Sequence, residues 1–396
     1  MDLRHSEADE AFRRDFRAWL DTSLTEEMRE GALWSRSGDA NAAFQTRRDW
    51  ERSKADAGWG GIQWPKEYGG YGGTPAQKAI HDEEMAKARA PRSVNSIGLA
   101  FLGPTLMVFG TEEQKSRHIG PLLRCDVIWC QGFSEPGAGS DLAALQTRAV
   151  REGDELVING QKVWTSNATH ADWMFALVRT NADGAKHHGI TFVLLDMRSP
   201  GVEVRPLKQM SGASEFGEVF FTDVRVPVEN VVGEIDNGWK VAMALLAFER
   251  GASAIGYYTE FRRELDELVD LAHTVERGGR PAAEDPMLRQ KLAQSVVDLE
   301  LLKLHSLHVL TQVEQGRDLG AEASMTKMHW SETHQDLGET FMDVVGPASQ
   351  LATPWPGLDI STQQEQFLWS RSETIWGGSS QVQRTIVAER VLGLPR

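Results

Sequence analysis

Two stretches of the chain combine residue types in a way that could do chemistry. The first, CQGFSEPGAGSDLAAL (130–145), contains the loop sequence SEPGAGSD, with a proline and two glycines flanked by hydroxyl and carboxylate groups. Its glycines let backbone N–H groups approach an anion or a carbonyl edge, and Ser134 and Ser140 add donors. The third glycine of a dinucleotide fingerprint is absent and no βαβ unit surrounds the loop. On composition alone, an ordinary surface turn therefore stands equally open. The second stretch, GQKVWTSNATHADW (160–173), ends a strand pattern with Trp164 beside Thr165 and Ser166. A flat aromatic next to two hydroxyls either stacks on and hydrogen-bonds a planar ligand or caps a strand in the core.

The elements that would hold these stretches follow from periodicity. Phe12, Phe16, Trp19 and Leu20 fall at helical spacing within 6–20. Gly- and Trp-rich residues 57–75 interrupt regular structure, Thr74-Pro75 opens another helix, 94–110 is helix-like and apolar, and Thr111 caps a further start. From Val127 to Val232 the apolar residues come in short alternating runs, and Asn159-Gly160 predicts a tight type I′ hairpin turn. Helical periodicity returns from Trp239 to about Arg277, from a Pro286 start capped by Asp285, over 321–345, and over 381–393. The predicted class is α+β and multidomain: a helical segment (1–124), a central β domain (125–236) and a C-terminal four-helix bundle (237–396).

Bulk composition removes several function classes. The chain has 396 residues, 41% hydrophobic, with 42 basic against 57 acidic side chains. A formal charge of −15 opposes binding to a phosphate backbone, so no nucleic-acid partner is expected. Two cysteines, Cys125 and Cys130, make neither a disulfide framework nor a zinc ligand set. The histidines at 305, 308, 329 and 334 lack a metal-site pattern of carboxylates, so no metal is expected. The charged N-terminus lacks a signal-peptide core and no apolar run is long enough to span a bilayer, which predicts a cytoplasmic protein.

Together with the C-terminal sequence ETIWGGSSQVQRTIVAERVLGLPR (373–396), FSEPGAGSD and GQKVWTSN resemble the signatures of the acyl-CoA dehydrogenase family, in the same order and over nearly the whole chain. The resemblance implies FAD as cofactor and desaturation of an acyl-CoA thioester. A carboxylate takes the α-proton, flavin N5 takes the β-hydride, and an electron-transfer flavoprotein is the acceptor. It further implies flavin contacts from Gln131, Phe133, Ser134, Gly139, Trp164, Thr165 and Ser166, with Ser140 on the CoA arm and the cofactor edge. Ser379, Ser380 and Gln381 match the C-terminal segment that approaches the flavin.

The chain departs from the commonest family pattern at the base. The position that usually carries the catalytic glutamate is Gly377, beside Gly378, so no side chain is available there. A minority of the family takes the base from the first long helix of the C-terminal domain, and the matching residue is Glu249 in LLAFERGASAIGY. A carboxyl on an apolar helical face has a raised pKa and accepts a proton better near neutral pH. Phe248, Arg250, Gly377, Gly378 and Ser140 are the implied substrate contacts.

Two flavin contacts also diverge: a family glutamine falls at Asp343, and Arg277, Arg280 and Arg289 are equal candidates for the pyrophosphate. The implied assembly is a homodimer or homotetramer, with a hetero-oligomer as the variant; the implied substrate is branched, bulky or ring-bearing. The alternatives are a non-catalytic or half-site subunit of a hetero-oligomer, and a flavin oxidase or monooxygenase on the same fold.

Overall fold

The computed structural model describes residues 5–31, 40–250, 254–317, 320–351 and 360–395. In chain order the elements are α1 (Glu7–Ser23), α2 (Glu26–Gly31), α3 (Ala40–Asp56), α4 (Pro75–Lys87), α5 (Gly103–Phe109) and α6 (Glu112–Leu123). The strands β1 (Trp129–Gly132), β2 (Arg148–Glu152), β3 (Glu155–Ser166), β4 (Trp173–Arg179), β5 (Ile190–Asp196), β6 (Val202–Leu207) and β7 (Phe216–Pro227) follow. Then come α7 (Gly238–Arg250), α8 (Ala254–Thr274), the short pair β8 (Glu276–Arg277) and β9 (Arg280–Pro281), α9 (Pro286–Glu314), α10 (Ala323–Val345), α11 (Ser361–Glu373) and α12 (Ser380–Ile386). The expected order of helical, β and helical segments is the observed one.

Helix starts are local events, and those at Thr74, Thr111 and Asp285 fall where expected. Ser6, Thr74 and Thr111 each accept from the backbone N–H three residues on, while Asp9, Gln77 and Gln114 return the bond. Asp285 accepts from Met287 and Leu288 N–H groups ahead of Pro286. In α1 the buried Phe12, Phe16 and Leu20 recur every four residues, which gives one apolar face.

Contacts divide the chain into two compact units. One comprises Met1–Ala43, Gly73–Arg92 and Ser253–Arg396, and it is helical. Its core is built from α8, α9 and α10 around Phe261, Leu265, Leu299, Leu302, Trp330, Leu337 and Phe341. The N-terminal helices join through charge as well as packing: Glu84 on α4 is buried and accepts from Arg13 and Arg17 on α1. Helix α11 lies in this unit although its sequence, STQQEQFLWSRSE, carries too weak an apolar period to predict it.

The other unit comprises Phe44–Gly72 and Ser93–Ala252. Its sheet runs β1-β4-β2-β3-β7-β6, with β5 on the other side of β4. Buried Asn95 ties helical and strand segments together: its amide donates to the Leu122 and Val127 carbonyls and its oxygen accepts from Trp129 N–H. Helix α7 belongs to this unit by its contacts. It starts at Gly238, where a Cβ would stand 2.3 Å from the Phe192 backbone nitrogen, so only glycine allows the approach.

The Asn159-Gly160 turn is not formed. Strand β3 passes straight through these residues and the register with β7 shifts between Ile158 and Gly160, a bulge rather than a hairpin. Gly160 is needed because a Cβ there would sit 2.7 Å from Thr147 Cα, and the Asn159 side chain bonds Asp223. The tight turn instead lies at Gly153-Asp154, between β2 and β3.

Candidate active site

In the sheet-containing unit, β1 delivers the loop 133–147. Gln131 is half-buried, and Phe133 is buried with its ring edge-on to Phe175 and Phe192 at 5.8 and 6.1 Å. Ser134 is half-buried and its carbonyl accepts from Val163 N–H at 2.9 Å, which couples the loop to β3. Glu135 and Ala138 exchange two backbone hydrogen bonds around Pro136-Gly137. Gly139 and Ser140 are exposed, and a Cβ at Gly137 or Gly139 would meet nothing within 4 Å, so a ligand can reach this backbone.

Beneath the loop sits an ion pair that sequence reasoning missed. Lys162 is 0% exposed and donates to the Glu135 carboxylate at 2.7 Å and to the Phe133 carbonyl at 3.1 Å. The Glu135 carboxylate also accepts from the N–H groups of Gln146 and Thr147. Burial lowers the Lys162 pKa and Glu135 pulls it back up, leaving it at about 8. For Glu135, burial is outweighed by Lys162 and the two backbone donors, and its pKa is lowered. A lone lysine in a strand ordinarily reads as solvent-facing, and its partner is 27 residues away.

Trp164 follows at once. The β3–β7 register shifts between Lys162 and Thr165, and Trp164 takes a left-handed φ of 59°. Its indole is 61% exposed, touching the Phe216 ring edge-on at 6.1 Å. A bulky residue held there costs on the order of 1–2 kcal/mol, and such strain persists mainly where function needs it. Thr165 is buried with its hydroxyl lacking a hydrogen-bond partner among the described residues, and Ser166 is half-buried. Trp164→Asn, which tolerates this φ, is expected to leave the unfolding free energy of the cofactor-free protein unchanged or raised by up to about 1 kcal/mol. On the resemblance's assignment of Trp164 to the flavin face, FAD affinity should fall about tenfold, read by urea melts and flavin fluorescence titration. A drop in stability with unchanged affinity would reverse the assignment.

Glu249, Phe248 and Arg250 lie on the last described turn of α7, with side chains outside the described residues. The earlier turns bury Val241, Ala242 and Leu245 in one cluster with Phe133, Phe175 and Phe192. The helix that carries Glu249 and the loop that carries Ser134 are therefore registered by a common core.

The C-terminal candidates lie in the helical unit. Gly377 and Gly378 have φ of 65° and 86°, the region glycine tolerates. Ser379 caps α12, accepting from Val382 N–H, and Gln383 donates to the Gly377 carbonyl at 2.8 Å. Ser380 and Gln381 line a cleft of about 410 Å³ with Gln335, Thr374, Ile375 and Arg384. The Ser380 hydroxyl is buried and has no hydrogen-bond partner among the described residues. Asp343, at the diverged flavin position, is paired with Lys291 at 2.5 Å, and its carbonyl accepts from Arg277 at 2.7 Å. Arg289 donates to the Ala283 carbonyl, while Arg280 is exposed. Among the histidines, His305 meets the Thr326 hydroxyl, His329 the Asp298 carbonyl, and His334 stands between two carboxylates.

Comparison with known proteins identifies the family of the chain. Family models for the acyl-CoA dehydrogenase N-terminal, middle and C-terminal domains match residues 6–126, 130–224 and 236–392. Acyl-CoA dehydrogenase IpdE1 of Mycobacterium tuberculosis is 42% identical over 390 residues, 98% of each chain. Acyl-CoA dehydrogenase FadE26 of the same organism is 34% identical, covering 100% of this chain and 99% of its own. Among solved structures, the ChsE4–ChsE5 complex from M. tuberculosis superposes with a TM-score of 0.86 at 33% identity, covering 100% of both chains. The Tcur3481–Tcur3483 steroid ACAD gives 0.84 at 34% identity, again over 100% of both. The chain belongs to the acyl-CoA dehydrogenase family, enzymes that oxidise CH–CH donors.

Proposed function

We propose that the protein carries out FAD-dependent α,β-dehydrogenation of an acyl-CoA thioester, with Glu249 as the base that takes the α-proton. The observation that carries this reading is the shared core of α7 and the 133–140 loop, in which Val241, Ala242 and Leu245 pack with Phe133. It gives the base-bearing helix and the flavin-contacting loop one fixed register. The sequence before Glu249 is apolar, and such surroundings raise a carboxyl pKa towards the working pH of a general base.

The residues present fit a flavin. In the sheet-containing unit the buried hydroxyl of Thr165, unpaired among the described residues, is a polar atom that a bound carbonyl- and hydroxyl-rich cofactor would satisfy. Bound FAD supplies a planar ring whose N5 accepts the β-hydride. Phe133 and Ser134 are assigned along the ring, Trp164 over its face, Ser166 near N5, with Gln131, Gly139, Ser379 and Gln381 completing the contacts. Ser140 holds the CoA arm, and Phe248, Arg250 and Gly378 border the acyl group. The Gly377 N–H donates to the thioester carbonyl; one such donor is worth about 3 kcal/mol in comparable acyl sites.

A bulky, ring-bearing acyl group is favoured by the likeness to a steroid ACAD, and an electron-transfer flavoprotein is the acceptor. Anaerobic mixing of purified protein with a panel of acyl-CoAs tests the reaction. Loss of the oxidised flavin band is expected with ring-bearing or branched thioesters and not with CoA alone. Absence of bleaching with every thioester would sink the dehydrogenase reading.

A second reading, a half-site subunit working in a hetero-oligomer, is favoured by one observation: Asp343 occupies a flavin-contacting position and is committed to Lys291. The structural relatives above include a two-chain complex, and α9 exposes Val297, Leu301 and Leu304 along one side, as an oligomer surface requires. Flavin content per chain of the protein purified alone separates the readings: one FAD per chain supports a self-sufficient enzyme, and a colourless preparation supports the half-site.

A further inference from the structure

We propose that His334 is a positioning residue: clamped as an imidazolium between Glu264 and Glu373, it fixes the turn at residues 374–381. Its functional consequence rests on the assignment of that turn to the flavin and thioester.

The clamp is built from three helices of one unit. His334 Nδ1 lies 2.6 Å from Glu373 Oε2 at the end of α11, and Nε2 lies 3.1 Å from Glu264 Oε2 on α8. Two carboxylates face the two ring nitrogens, and only the doubly protonated ring can donate to both. Phe261 stacks on the imidazole at 4.1 Å, and Gln366 donates to the second oxygen of Glu264. His334 and Glu373 are both buried, so neither charge has water as a substitute partner. Burial alone would lower the His334 pKa, but the two carboxylates overcome it and push it up to about 10.

The same face of α10 grips everything that leads into the turn. Lys327 donates to the Glu373 carbonyl at 2.6 Å, Trp330 contacts Trp376 at 5.5 Å, and Gln335 donates to the Ser370 carbonyl and the Thr374 hydroxyl. These residues recur at i, i+3, i+7 and i+8, one stripe of the helix. Gly377 and Gly378, by contrast, have no side chains to anchor themselves, so the geometry of Ser379–Gln381 depends on what holds residues 370–376 before it and on the Gln383–Gly377 bond and Arg384–Glu332 pair after it. His334 ties this segment to a third helix, α8, through charge, beside Trp330, which reaches α8 by stacking on Tyr257 at 4.4 Å.

The test uses the full-length protein. His334→Gln removes the charge but keeps a donor, and Glu373→Gln removes the opposite charge at the same shape. Each is expected to speed amide exchange across 374–381, read by hydrogen-exchange mass spectrometry, on the order of tenfold. Exchange within α9, in the same unit, should stay within twofold. The double variant should be no faster than either single one, because both remove one interaction.

Exchange across 374–381 within twofold of the parent, or acceleration spread equally over α9, overturns the clamp. If His334→Gln does not fold, Glu373→Gln carries the same comparison alone. Flavin titration of the variants addresses the other claim. Faster exchange with unchanged FAD affinity leaves the clamp standing and removes the turn from the cofactor site.

Discussion

Glu249→Gln is expected to keep FAD bound and to slow flavin reduction by acyl-CoA by about 10²- to 10⁴-fold, the usual contribution of a positioned general base. Glutamine preserves volume and hydrogen bonding but cannot take a proton. Thioester binding should therefore survive, so the loss appears in the rate of bleaching and not in the acyl-CoA dependence. Stopped-flow absorbance under anaerobic conditions measures both. Reduction as fast as in the parent would remove Glu249 from the mechanism. Gly377 cannot act in its place, since it has no side chain, and its φ of 65° disfavours one.

Lys162→Met should be the most destabilising single change near the loop, costing about 3–5 kcal/mol in urea unfolding at pH 7. The methionine fills the space, but Glu135 keeps a buried charge whose strongest partner is gone. The Phe133 carbonyl also loses its donor. Lys162→Met with Glu135→Gln should recover most of the loss, because no unpaired charge remains.

The pH dependence has a definite sign. The folded pKa of Glu135 lies below its unfolded value, so its stabilisation is present above about pH 4.5 and is lost as pH falls through the folded value. In Lys162→Met burial dominates and raises the Glu135 pKa, so the deficit should shrink as pH drops towards 5. Lys162 itself has a folded pKa of about 8, below the 10.5 of the unfolded chain. Its contribution disfavours folding below pH 8, and that cost is relieved as pH rises from about 8 to 10.5. A deficit that grows on acidification would contradict the pairing.

Several local features were legible in the residues alone. Thr74, Thr111 and Asp285 announce helix starts because a cap and its partner are two or three residues apart. The order of helical, β and helical segments follows from periodicity over short windows. The loop 130–145 and the strand end at Trp164 stand out by composition, and Gly377 is visibly empty. Where the same logic was applied to Asn159-Gly160 it failed. The glycine serves close packing on Thr147 rather than a turn, and local sequence does not distinguish those two uses. Helix α11 was unreadable for a related reason: its hold on α10, through Arg371 to Glu339 and Gln335, is made by polar side chains with no apolar period to see.

The sequence by itself thus determined the helix caps, the segment order, the family resemblance and the candidate base. Only the tertiary structure decided that Lys162 lies buried under the Phe133 carbonyl, that His334 joins Glu264 and Glu373, and that α7 shares its core with the 133–140 loop. The division has a physical cause. Caps and periodicity are interactions between residues a few positions apart, whereas these pairings close over 27, 39 and 70 residues and exist only once burial has made an unpaired charge intolerable.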